Sequence, residues 1–142
     1  KAKVNRDKDI FVDTSAFIAM RVKDNINHKR ADEFLDTIKE KRLRLHTTNF
    51  ILAETYTYFC RSHKVAIAMA ELITVNPLIT LHRVNVDDEE NAFKILKGFS
   101  DKDFSYVDAA SFALMERLGI KTVFAFDEHF EQYGRFFVVP ND

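Results

Sequence analysis

The chain has 142 residues, 46% of them hydrophobic, with only 3 Gly and 2 Pro, so it has the material for one compact domain and not for a disordered tether. Its 21 basic and 22 acidic residues give a formal charge of −1, which excludes broad, non-specific polyanion binding. The single Cys60 cannot form an internal disulfide, the opening residues show no leader pattern, and charge interrupts every apolar run well before the roughly 20 residues that cross a bilayer. A reducing, cytoplasmic setting away from membranes is expected.

Ile10–Val12 is a short, continuous apolar run, the pattern of a strand buried on both faces. Ser15 to about Val22 reads as a short helix, and Asn27–Lys41 as a longer one with Ala31, Phe34, Leu35 and Ile38 at helical spacing. Arg42–His46 reads as a second strand. Thr47 or Thr48 can cap a helix running to about Ser62, and Val65–Val75 reads as the next helix, ended by Pro77. Leu78–Val84 supplies a third strand. Asp87–Gly98 is a helix with acids in its first turn, Ser105–Leu118 another, ended by Gly119. The strand Lys121–Phe126, a turn over Asp127–Tyr133 and the strand Arg135–Val139 complete the chain. Strands thus alternate with helices and no hairpin signal intervenes. This order predicts a single 1–142 domain of α/β class, a three-layer α/β/α sandwich with a mostly parallel central sheet. Most of the 14 Phe are expected to pack in its core.

Four acids do not fit a purely structural reading. Ligands of such sheets bind beyond the carboxyl ends of the strands, where Asp13 and Asp127 would each lie, although either Asp also suits a helix cap. Glu54 falls within a helix beside Phe50, Ile51 and Tyr58, where an unpaired carboxylate costs several kcal/mol. Asp108 sits three residues after Ser105, as in a capping box, which also puts it at the positive end of a helix dipole. Four carboxylates above one sheet edge repel one another unless a cation neutralises them. Oxygen ligands without a Cys or His cluster suit Mg²⁺ or Mn²⁺ better than zinc. Such an ion implies phosphate chemistry.

The segments "FVDTSAFIA", "ILAETYTYF", "DFSYVDAASFALMERLGI" and "VFAFDEHFEQYG", taken in order, resemble PIN-domain proteins of the VapC-like toxin ribonuclease group. The resemblance implies a Mg²⁺- or Mn²⁺-dependent endoribonuclease in which Asp13, Glu54 and Asp108 hold metal and Asp127 binds a second ion or orients the attacking water. In-line attack would leave a 5′-phosphate and a 3′-hydroxyl. It also implies that Thr14 or Ser15 supplies the family's hydroxyl, that the protein is a homodimer, and that a small antitoxin protein covers the site. Glu128 departs from the pattern, since related sequences often carry a basic residue there.

Softer features are Asp103 as an auxiliary acid, otherwise a solvated loop charge, and His129 as a phosphate contact, otherwise a surface or capping histidine. The basic stretch Lys39–Arg44, with Arg21, Lys23 and Lys29, could track RNA or simply be solvated. Tyr56, Tyr58 and Phe59 suit core packing first, then a partner subunit or a stacked base. Two alternatives stand beside the nuclease: a phosphotransfer domain with Asp13 as acceptor, which lacks the expected second acid at Ser15, and a non-catalytic PIN-fold RNA-binding module.

Overall fold

The computed structural model describes residues 8–141. Its first strand, β1 (Asp9–Val12), is buried along its whole length. The elements that follow are α1 (Thr14–Arg21), α2 (His28–Lys41), β2 (Arg44–Thr48), α3 (Asn49–Phe59), α4 (His63–Val75), β3 (Ile79–His82), α5 (Val86–Gly98), α6 (Tyr106–Leu118), β4 (Thr122–Phe124), α7 (His129–Tyr133) and β5 (Phe137–Val139). The sheet order is β3-β2-β1-β4-β5, and every pairing is parallel. With β1 at the centre, the first two crossovers run towards β3 and the third returns past β1 to β4. Right-handed crossovers therefore put α1–α4 on one face and α5–α7 on the other. The order reverses between β1 and β4, which makes the crevice beyond their carboxyl ends the topological switch point.

Several element boundaries differ from the sequence expectation for local reasons. Arg42 adopts a left-handed conformation, φ 54°, that closes α2, so β2 begins at Arg44 and extends to the buried Thr47 and Thr48. Thr48 is the cap of α3. That helix stops at Phe59 because Ser62 is needed as the cap of α4, its hydroxyl accepting from the Val65 amide. The expected turn after Asp127 contains the short helix α7, closed by Gly134 at φ 80°.

Phe11, Phe17, Phe112, Phe124 and Phe130 are fully buried, each worth about 1.5–3 kcal/mol of transfer energy. Phe112 stacks on Tyr133 at 4.3 Å, while Phe104 and Phe130 meet its edge at 5.1 and 5.0 Å. This cluster locks the loop before α6 and the helix α7 onto α6. Phe93 and Phe137 are exceptions to the core expectation, being exposed. Tyr58 is exposed too, so core packing does not account for it.

Candidate active site

Asp13 follows β1 directly and is only 2% exposed. Its amide donates to the Phe124 carbonyl at 3.1 Å, extending the β1–β4 pairing by one rung. Its Oδ2 accepts from the Ser15 amide at 3.1 Å and the Ser15 hydroxyl at 2.6 Å, which makes it the cap of α1. The Ser15 Oγ in turn accepts from the Phe126 amide at 2.9 Å, so one hydroxyl ties the end of β1 to the segment carrying Asp127. Thr14 serves a different acid: its Oγ1 donates a short hydrogen bond to Glu54 Oε1. Both hydroxyls after Asp13 are therefore in use.

Glu54 reaches the cluster from the side of α3 and is half-buried. Asp108, 7% exposed, completes a capping box: its Oδ2 accepts from the Ser105 amide at 2.9 Å, and its own amide donates to the Ser105 hydroxyl at 3.0 Å. Asp127 lies just beyond β4, half-buried, with Oδ1 accepting from the His129 amide at 3.1 Å. Each acid thus has one oxygen engaged by an internal donor. Among the described residues the other oxygen takes no hydrogen bond, and no Lys or Arg forms an ion pair with any of the four.

The electrostatics show that the acids sense one another. Burial pushes the Asp13 carboxyl well above the ordinary range, the charge of Asp127 adds to this, and Asp108 contributes less, against the lowering effect of Ser15. Burial also raises Glu54, whose Thr14 hydrogen bond opposes the shift while Asp108 and Asp127 reinforce it. Asp108 is raised by burial in the same way, with Ser105 pulling down, Asp127 pushing up and His129 pulling down. Desolvated carboxylates with mutual repulsion and spare oxygens are a donor set that fits a divalent cation.

His129 is nearer to the chemistry than a surface or capping reading allows. Its Nδ1 lies 2.8 Å from Asp108 Oδ2 and its Nε2 3.3 Å from Asp103 Oδ1. Ligand atoms of Asp108, Asp127 and His129 fall within 4.8 Å of one another. Asp103 itself is exposed, as a loop charge should be. Glu128 is also exposed and accepts from Gln132 Nε2 at 3.0 Å, so no cation stands at that position. Within the basic stretch, Arg44 is committed to Asp9 through two hydrogen bonds. Arg30 also borders the site: its guanidinium lies 5.5 Å from the centre of the Phe126 ring and its Nη2 donates to the Pro140 carbonyl at 3.0 Å, in a cleft shared with Asp127. No sequence signal distinguished Arg30 from the other charges of α2.

A PIN-domain family model matches residues 10–136. The 23S rRNA-specific endonuclease VapC20 of Mycobacterium tuberculosis is 34% identical over 127 residues, covering 88% of this chain and 94% of that protein. The chain belongs to the PIN-domain ribonucleases of the VapC-like group. The crystal structure of M. tuberculosis VapC20, described as a sarcin–ricin loop cleaving toxin, superposes on this PIN domain with a TM-score of 0.81 at 32% identity, covering 89% of this chain and 95% of that one. VapBC2 from Rickettsia felis, solved with a promoter DNA fragment, shares the fold at a TM-score of 0.71 and 8% identity over 92% of this chain and 96% of its own. FitAcB from Neisseria gonorrhoeae does so at 0.67 and 16%, over 91% and 95%. The match to this family displaces the phosphotransfer alternative with Asp13 as acceptor. Among the described residues, no helix of this PIN domain is long and apolar enough to cross a membrane.

Proposed function

We propose that this chain is a single-domain, Mg²⁺- or Mn²⁺-dependent endoribonuclease, the toxin of a toxin–antitoxin pair, with Asp13, Glu54, Asp108 and Asp127 as its catalytic acids. The observation that supports the reading is the approach of these four acids, from β1, α3, α6 and the β4 end, to one patch where burial, reinforced by neighbouring carboxylates, raises Asp13, Glu54 and Asp108 above their ordinary range. A divalent cation held there would neutralise the patch and would supply Lewis-acid polarisation of the scissile phosphate and activation of water. Asp13, Glu54 and Asp108 would hold it, their carboxylates oriented by the hydroxyl and amide donors that engage one oxygen of each. Asp127 would hold a second ion or orient the attacking water.

VapC20 acts on 23S rRNA and is described as cleaving the sarcin–ricin loop, so the substrate proposed here is a structured ribosomal RNA loop. A toxin of this kind requires a small protein antagonist covering the acids. Homodimerisation is proposed through the shallow hollow on α5 and α6 where Val86, Phe93 and Tyr106 are exposed among Glu89, Glu90, Lys94 and Lys97. Cytoplasmic residence accords with the free, exposed Cys60. The test is to incubate purified protein with ribosomal RNA hairpins and Mg²⁺ or Mn²⁺. Discrete cuts are expected, abolished by EDTA and by Asp13→Asn; cuts that persist in both controls would sink the metal mechanism.

A further inference from the structure

His129 is the one nitrogen donor whose ring meets this acid patch among the described residues, and its surroundings set which nitrogen faces the acids. The ring stands perpendicular to that of Phe104, with centroids 5.8 Å apart, and Phe104 is held edge-on by the buried Phe112. Nε2 faces Asp103 at 3.3 Å, while Nδ1 faces Asp108 at 2.8 Å with Asp127 close by. With Nε2 turned to one carboxylate, Nδ1 is the ring nitrogen that faces Asp108 and Asp127. Metal-ligating histidines are fixed in the same way, by a carboxylate behind the ring.

We propose that His129 Nδ1 is a metal ligand beside Asp108 and Asp127, that Asp103 is its positioning partner, and that the site is therefore a mixed nitrogen–oxygen one that prefers Mn²⁺ to Mg²⁺. This rests on the metal-dependent reading above and goes beyond its four acids. Mg²⁺ demands hard oxygen ligands and gives up water reluctantly, so a nitrogen ligand gains it little. First-row transition ions accept imidazole, and Mn²⁺ is the one that a carboxylate-rich set also suits. The rival geometry is an Nδ1–H that merely donates to Asp108, with the ring outside the coordination sphere.

The two geometries separate on the full chain with Mn²⁺ alone as the probe. Spin-echo electron paramagnetic resonance of the wild-type complex is expected to show nitrogen hyperfine coupling that His129→Gln removes. In calorimetric titrations His129→Gln should weaken Mn²⁺ about tenfold while Mg²⁺ changes less than about twofold, and Asp103→Asn should weaken Mn²⁺ about threefold. Mn²⁺ binding that is lost in Asp13→Asn yet shows no nitrogen coupling in the wild type overturns the His129 assignment and leaves the acid site standing. Binding indifferent to Asp13→Asn removes both readings, and an unchanged Mn²⁺ affinity in Asp103→Asn removes the positioning role. The wild-type spectrum decides the ligand question even if a variant fails to fold.

Discussion

Asp88 and Asp108 hold the same position in two packed helices. Each is the third residue of its helix, closes a capping box with the residue before the helix, and is almost fully buried. Their fates differ because of what arrives from elsewhere in the chain. Burial would raise Asp88, but Arg117 gives it two hydrogen bonds, at 2.7 and 2.9 Å, and holds its carboxyl below the ordinary range. Asp108 meets Asp127 and one imidazole, with no guanidinium, and burial together with the charge of Asp127 raises its carboxyl. A paired carboxylate holds structure together; one left with like charges is held ready for a cation. Strand β1 repeats the lesson: Asp9 at its start is neutralised by Arg44 and His46, and Asp13 beyond its end is not.

The widest separation should appear in activity. Asp108→Asn keeps the size and much of the capping geometry but removes a charge facing the proposed cation, so RNA cleavage should fall about 100-fold or more, while the protein unfolds no more easily than wild type. An unfolding temperature that drops along with activity would make Asp108 as structural as Asp88. Next in size is Arg117→Ala. Removing one partner of a buried pair costs 3–5 kcal/mol when both are enclosed; with 39% of the Arg117 side chain exposed, about 2 kcal/mol is expected, read in denaturant titrations. Specific activity of the folded fraction should be unchanged.

The smallest effect is in pH. In metal-free protein the folded pKa of Asp108 exceeds its ordinary value of 3.8, so ionisation is less favourable folded than unfolded. Its contribution to stability is full below about pH 4 and is lost as pH rises through the folded pKa. Asp108→Asn should thus be more stable than wild type near neutrality, with the gap closing towards pH 4. For Asp88 the folded pKa is lowered, so its contribution is present above 3.8 and is lost only as pH falls through the folded value. Asp88→Asn should be less stable than wild type near neutrality. Parallel pH profiles for the two variants would erase the distinction.

Much of this was legible in the sequence, to the extent that the signals were local. The buried run before Asp13, the carboxylate set among apolar residues at Glu54 and the Ser105–Asp108 spacing each mark an element and a residue on it, and their order identified the family. What the sequence did not show depends on long-range placement. Arg117 is 29 residues from Asp88, and nothing in α6 marks it as the cation for α5. His129 looked like a surface residue because Asp103 and Phe104, from the loop before α6, and Asp108, from its first turn, reach it from elsewhere in the chain. Helix α7 is too short for periodicity to register, and Arg42 took a left-handed turn that neither Gly nor Asn announced.

The rung between the Asp13 amide and the Phe124 carbonyl, with the Ser15–Phe126 bond 111 residues apart in sequence, also orders events in time. During synthesis β1, β2 and β3 leave the ribosome long before β4 exists. Until then the Asp13 amide lacks its acceptor, and the Ser15 hydroxyl lacks the donor that brings Asp127 alongside. A nascent chain can therefore build most of its sheet without possessing a cutting site. For an enzyme whose proposed substrate is the ribosome that makes it, the non-local pairing at the centre of the fold acts as a delay, and competence arrives only as the last strands are delivered.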